Sequence, residues 1–219
     1  ARDSRDHAAY VLEHYEVKNL VLNLNYTEAI TYDTGEDDIH YWMHPLADGG
    51  SKALFYLRYA FCSTQYAIDK VSASFRDTDL PQVFDAATGC YDKRVRDVEK
   101  IGDPEVYQAA HGADFQYYSP PDFAQLPYLD QCVQAIADIR DLCREKGVSL
   151  TVICSPTYVS QLEAYGGEAL DRYRAALAQV VDFWDFSCTP LSYDSRYFYD
   201  ASHFRNAVGS MVLAVIFGN

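Results

Sequence analysis

The sequence predicts a single α/β domain over residues 1–219, built as three αβα layers around a parallel sheet. Three observations carry this. From Leu126 onward, amphipathic helical stretches alternate with short, apolar, strand-like runs. A hydrophobic content of 49% over 219 residues is ample for one packed core. The polar residues with chemical potential fall just after the strand-like runs, where open α/β sheets place their sites.

Taken in order, Asp3 to Tyr15 reads as a helix. Asp3 or Ser4 is the expected N-cap, and Ala8, Val11, Leu12 and Tyr15 fall at helical spacing. Lys18 to Leu24 reads as a buried strand. Parallel sheets of this kind usually open on a strand, so a strand preceding this first helix is expected to be missing. Residues 33–122 form an expected insertion between strands, mostly helical and irregular. It holds turn signals at Thr34-Gly35 and Asp48-Gly49-Gly50, and helices are expected over Ser51–Cys62 and Ser63–Phe75. Beyond it come a helix over Leu126–Lys146 stopped by Gly147, a strand over Val148–Cys154 broken by Ser155-Pro156, and helices over Val159–Tyr165 and Gly167–Val180. A strand over Val181–Phe186 and a final helix over Asn206–Phe217 complete the chain.

A net charge of −14 argues against nucleic acid and against anionic membrane surfaces, since both need basic patches to displace counterions. No stretch reaches the length of a membrane span, and no signal peptide is visible. Nineteen Tyr and eleven Phe serve a core or line a sugar-binding cleft equally well. Six cysteines occur without a C-x-x-C pair, so zinc and thioredoxin-type readings are weak. Cys132, Cys143 and Cys154 are expected as small buried hydrophobes, while Cys62 and Cys90 are a candidate disulfide. His40 and His44, with Asp37 and Asp38 nearby, could form half a metal site, but Pro45 disfavours a helix there and a solvated loop is the better reading. No metal and no cofactor are expected; a flavodoxin-like binding domain lacks support because no Gly-rich phosphate loop follows any strand.

The chemistry concentrates at Asp200-Ala201-Ser202-His203, directly before the final helix. A carboxylate three residues ahead of an imidazole can hold one ring nitrogen and leave the other to take a proton. The alternative is a helix N-terminal cap beside a surface histidine. Asn25 ends the first strand, where it can donate to an oxyanion or merely cap. Ser155 sits at a strand end without the Gly-x-Ser-x-Gly elbow that would expose it as a nucleophile.

On these residues the chain resembles the SGNH (GDSL-type) hydrolase superfamily. Asp200 to Ile216 is similar to that family's last block, Asp-x-x-His before the final helix. Asn23-Leu24-Asn25-Tyr26 is similar in part to its third block, Gly-x-Asn-Asp, with Asn23 and Tyr26 departing from the pattern. The helix–strand–Ser-Pro run over Leu126–Pro156 and the strand end Asp185-Phe186 extend the likeness to most of the chain outside the insertion.

The resemblance implies His203 as general base and acid, Asp200 as its orienting carboxylate, and Asn25 as an oxyanion donor. It also implies an acyl-ester hydrolase or acyltransferase working on acylated polysaccharides of the cell envelope or on small esters. The family's nucleophilic Ser block has no counterpart here: Asp3-Ser4 starts a helix, so Ser4 reads as a cap. The Ser and the first strands are therefore expected upstream of Ala1, together with any segment that would export or anchor the protein. The chain alone is then expected to be inactive, and the strand 18–24 is left as an apolar edge through which two copies could pair. A non-catalytic carbohydrate-binding or scaffolding relative is the alternative.

Overall fold

The computed structural model describes residues 2–30, 83–85, 90–92, 102–117 and 123–218, together with Leu57 and Ile68. Its framework is α/β: helices pack with a small parallel sheet of three strands, β1 (Asn19–Leu24), β4 (Ser149–Cys154) and β5 (Phe183–Asp185), in the order β1-β4-β5. Register runs from Asn19 opposite Ser149 to Leu24 opposite Cys154, and from Val152 opposite Phe183 to Cys154 opposite Asp185.

Pleating sorts the strand residues onto two faces. Leu22, Leu24, Val152 and Cys154 share one face and enter a common core with Ala8 and Leu12 of α1 (Arg2–His14). The same core takes Cys132, Ile136, Ile139 and Cys143 from α3 (Leu129–Lys146), Leu162 and Tyr165 from α4 (Val159–Tyr165), and Leu170, Tyr173 and Leu177 from α5 (Gly167–Leu177). The opposite face carries Ile153, which is buried outside that cluster, and Val21 and Trp184, which are 42% and 46% exposed. The last helix, α6 (Asn206–Phe217), has no charged residue; it buries Val208 and Val212 and leaves Met211, Leu213, Val215 and Phe217 exposed.

Several boundaries move for local reasons. α1 begins at Arg2, so Asp3 and Ser4 lie in its first turn rather than at its cap, and the His7 ring pairs with the Asp3 carbonyl at 2.7 Å. α3 begins at Leu129 rather than Leu126, because Pro127 follows and Leu126 takes φ 49°, outside helical geometry. Its C-terminal stop is as expected: Gly147 adopts φ 68°, and the Val148 N–H donates to the Cys143 carbonyl at 2.8 Å.

Between β1 and α3 the described residues hold elements that weak sequence periodicity hides. An antiparallel pair, β2 (Val83–Asp85) and β3 (Cys90–Asp92), sets Phe84 opposite Tyr91. A helix, α2 (Pro104–His111), is capped by Asp103 through the N–H groups of Glu105 and Val106. Of the two helices expected over Ser51–Phe75, only Leu57 and Ile68 are described, both helical and exposed. The rest of those helices, His40, His44 and Cys62 lie outside the described residues.

Cys132, Cys143 and Cys154 are buried free thiols and Cys188 is an exposed one. Among the described residues no cluster of three or more His, Cys, Asp or Glu could hold a metal ion, and no helix is long and apolar enough to cross a membrane.

Candidate functional site

The Asp200–His203 loop is fixed by its own backbone. Phe198 bridges Phe204 in antiparallel fashion, the Tyr199 N–H donates to the His203 carbonyl at 2.7 Å, and the Arg205 N–H donates to the Tyr197 carbonyl at 2.8 Å. Inside this loop Asp200 acts as an Asx turn: Oδ1 accepts the N–H of Ser202 at 2.7 Å and of His203 at 2.9 Å. The same carboxylate meets the imidazole, with His203 Nδ1 at 2.9 Å from both Oδ1 and Oδ2. With Nδ1–H donating, Nε2 carries the lone pair. Nε2 makes no hydrogen bond among the described residues, and the ring is 61% exposed. That is the geometry of an oriented base with its acceptor nitrogen open to solvent.

Beneath the loop lies an aromatic platform. Phe198 is fully buried with Tyr107 and Phe115, and Tyr158, Tyr197 and Phe204 pack against them. Tyr158 stands 5.5 Å from Phe198 and 4.9 Å from Phe115, centroid to centroid. Since Tyr158 follows the carboxyl end of β4 by four residues, it links the histidine loop to that end of the sheet. Buried Arg205 lies over the Tyr199 ring at 4.6 Å and the Tyr107 ring at 5.5 Å, and Nη2 donates to the Tyr107 hydroxyl. The Ala201 N–H donates to the Asp114 carbonyl at 3.1 Å. The chain between β3 and α3 thus supplies Tyr107, Asp114 and Phe115 to the base of the loop. Sequence reasoning missed these residues; the available signal was Asp103-Pro104, a cap and first-position pair that opens the helix bearing Tyr107.

Asn25 and Ser155 come together at the carboxyl ends of β1 and β4, lining a cavity of about 20 Å³ with Leu24, Cys154, Tyr165 and Tyr173, room for about one water. Asn25 caps the 3₁₀ turn Tyr26–Ala29: its Oδ1 accepts Thr27 N–H at 3.0 Å, the Thr27 hydroxyl at 3.1 Å and the Tyr165 hydroxyl at 3.4 Å. Those bonds orient the amide, while Nδ2, the group an oxyanion would use, makes no hydrogen bond among the described residues. The Ser155 hydroxyl donates to Asn23 Oδ1 at 2.6 Å, and the residue is buried, which suits a structural tie between β1 and β4 rather than a nucleophile.

Burial governs titration here: it raises Tyr26 to about 12 and Cys154 to about 12, and it pushes Tyr165 far above its ordinary range. At the end of β5, Asp185 is held by Arg174 at 2.8 Å and accepts the Ser187 N–H at 2.9 Å.

A second, wider groove of about 680 Å³ is lined by Glu105, Gln108, Tyr158, Tyr193, Asp194 and Ser195. Tyr193 is 65% exposed. Arg196 donates to both carboxylate oxygens of Asp194 and holds its pKa below the usual carboxylate range. His203 lines neither this groove nor the small cavity beside Asn25.

Compared with known proteins, the chain matches no family model, no curated protein sequence and no solved structure.

Proposed function

We propose that this chain is the greater part of an SGNH-like three-layer αβα domain whose whole protein is an esterase or O-acyltransferase acting on acyl groups of cell-envelope glycans outside the cytoplasm. His203 is the general base, then the acid toward the leaving group; Asp200 orients it and stabilises the imidazolium; Asn25 donates Nδ2 to the oxyanion. The nucleophilic Ser belongs to a segment outside these 219 residues, so the chain by itself is inactive. The observation that carries the reading is the Asp200–His203 pair, closed at 2.9 Å with the far ring nitrogen open to solvent. The test is acetate release from an aryl acetate by a form extended upstream to include a Gly-x-Ser turn. His203→Ala should lower the rate by roughly 10³-fold or more. Equal rates would remove His203 from the chemistry.

The wider groove favours a second reading, a carbohydrate-binding domain that performs no chemistry. Tyr158 and Tyr193 beside Glu105, Gln108 and Asp194 combine aromatic faces with hydrogen-bonding groups, as sugar recognition requires. Glycan binding by the 219-residue chain, lost in Tyr193→Ala but kept in His203→Ala, would select this reading.

A further inference from the structure

β1 is an outer strand of the described sheet, paired to β4 along one side. The Lys18 carbonyl accepts from Ser149 N–H and the Leu24 carbonyl from Ser155 N–H, both at 3.0 Å. Backbone groups alternate sides along a strand. The even-numbered residues of β1 therefore turn their N–H and C=O toward β4, and Asn19, Val21 and Asn23 turn theirs outward. The side chains of those same three residues are exposed, on the face away from the helical core. Between Asn19 and Leu24 there is no charge and no proline, the devices that usually blunt a free edge.

The strand is also self-complementary. Asn19-Leu20-Val21-Leu22-Asn23 reads the same in both directions. Centring an antiparallel copy on Val21 sets Asn19 opposite Asn23, Leu20 opposite Leu22, and Val21 opposite its own counterpart. In this register the outward N–H and C=O groups of one strand meet those of the other. The leucines of both copies stay on one face and extend a single core. A two-fold interface demands this matching of a surface with itself. We propose that the 219-residue chain forms a two-fold dimer by antiparallel β1–β1 pairing, which joins two three-stranded sheets into one.

Charge favours the same place. Each copy carries −14, so most approaches set like charges together, whereas β1 is neutral. Added salt screens the remaining repulsion and tightens the dimer.

Sedimentation equilibrium of the 219-residue chain at about 1–100 μM tests this. The expected result is a mass approaching twice 24.8 kDa, shifting toward dimer as salt is raised. Val21→Lys sets two like charges across the axis. Val21→Pro removes an outward N–H and no bond to β4. Each should weaken association at least about tenfold with the far-ultraviolet circular dichroism unchanged. Amide exchange locates the contact: the Val21 and Asn23 N–H groups should exchange at least about tenfold more slowly in the wild-type dimer than in monomeric Val21→Lys, while Leu22 and Leu24 stay alike in both. A wild-type monomer at the highest concentration, a dimer that survives both substitutions, or equal protection of Val21 and Asn23 in the monomeric variant would each overturn the proposal.

Discussion

Both carboxylate oxygens of Asp200 stand 2.9 Å from His203 Nδ1, and one of them also holds the N–H of Ser202 and of His203 itself. One side chain therefore builds the loop and aims the ring, and substitution can separate the two jobs. Asp200→Asn keeps an oxygen for the backbone N–H groups but loses the anion. Its thermal unfolding should stay near wild type, while the ester hydrolysis proposed for the extended protein should be lost. Asp200→Ala loses both and should cost about 1 kcal/mol as well. Parallel melts and rate measurements on the two variants check this; an active Asp200→Asn would mean that the anion contributes nothing.

The core on the helical face of the sheet sets a second expectation. Ile136 is 1% exposed at the middle of α3, among Leu24, Val152 and Leu177 in the same cluster. Ile136→Ala should destabilise the chain by roughly 2–5 kcal/mol, a transfer loss plus a cavity. Gln134→Ala, on the exposed side of the same helix, should stay within about 0.5 kcal/mol of wild type. Urea titrations compare the two directly.

Gly147 ends α3 at φ 68°, and a Cβ built there would meet nothing within 4 Å. Any penalty on substitution is then backbone strain alone. Gly147→Ala should cost about 1 kcal/mol, and Gly147→Asn less, because Asn tolerates the left-handed region. A cost well above that range, read from the same urea titrations, would mean that the turn packs more tightly than its surroundings imply.

These elements also mark what was legible in the sequence. α4 and α6 fall on their expected bounds because Ser155-Pro156, Gly166 and the Asp200–His203 loop punctuate them, and the stripe Leu170, Tyr173, Leu177 is buried as its spacing requires. β5 is shorter than the expected Val181–Phe186: Val181 packs against the core without joining the ladder. Apolar residues signal burial, but pairing needs a neighbour in register. α2 and the antiparallel β2–β3 pair leave no clear signal because their short periods do not rise above noise, although Asp103-Pro104 marks one start. At the site, the Asp–His contact could be read from spacing because it spans one turn of chain. The platform of Tyr107, Phe115 and Tyr158 could not, because a long-range contact between Tyr107 and Phe198 leaves no local pattern.

Burial of thiols gives the last prediction, on the alkaline side. Desolvation raises Cys132 and Cys154 each to about 12 in the folded chain. Unfolded cysteine titrates near 8.5. Below that pH both thiols are neutral in both states, and their contribution to stability is fully present. As pH rises from about 8.5 toward 12, the unfolded state releases the protons first and is stabilised relative to the folded state, by roughly 1.4 kcal/mol per pH unit for each group. Stability should therefore fall through that window, and the double variant Cys132→Ala, Cys154→Ala should show a shallower fall even though it starts lower at neutral pH from lost packing. Denaturant midpoints measured from pH 7 to pH 11 give both slopes. Labelling with a thiol reagent at pH 8 makes an independent check: exposed Cys188 should react in the native protein, while Cys132 and Cys154 react only once the chain unfolds. Parallel slopes in wild type and double variant would show that these two thiols ionise alike in both states.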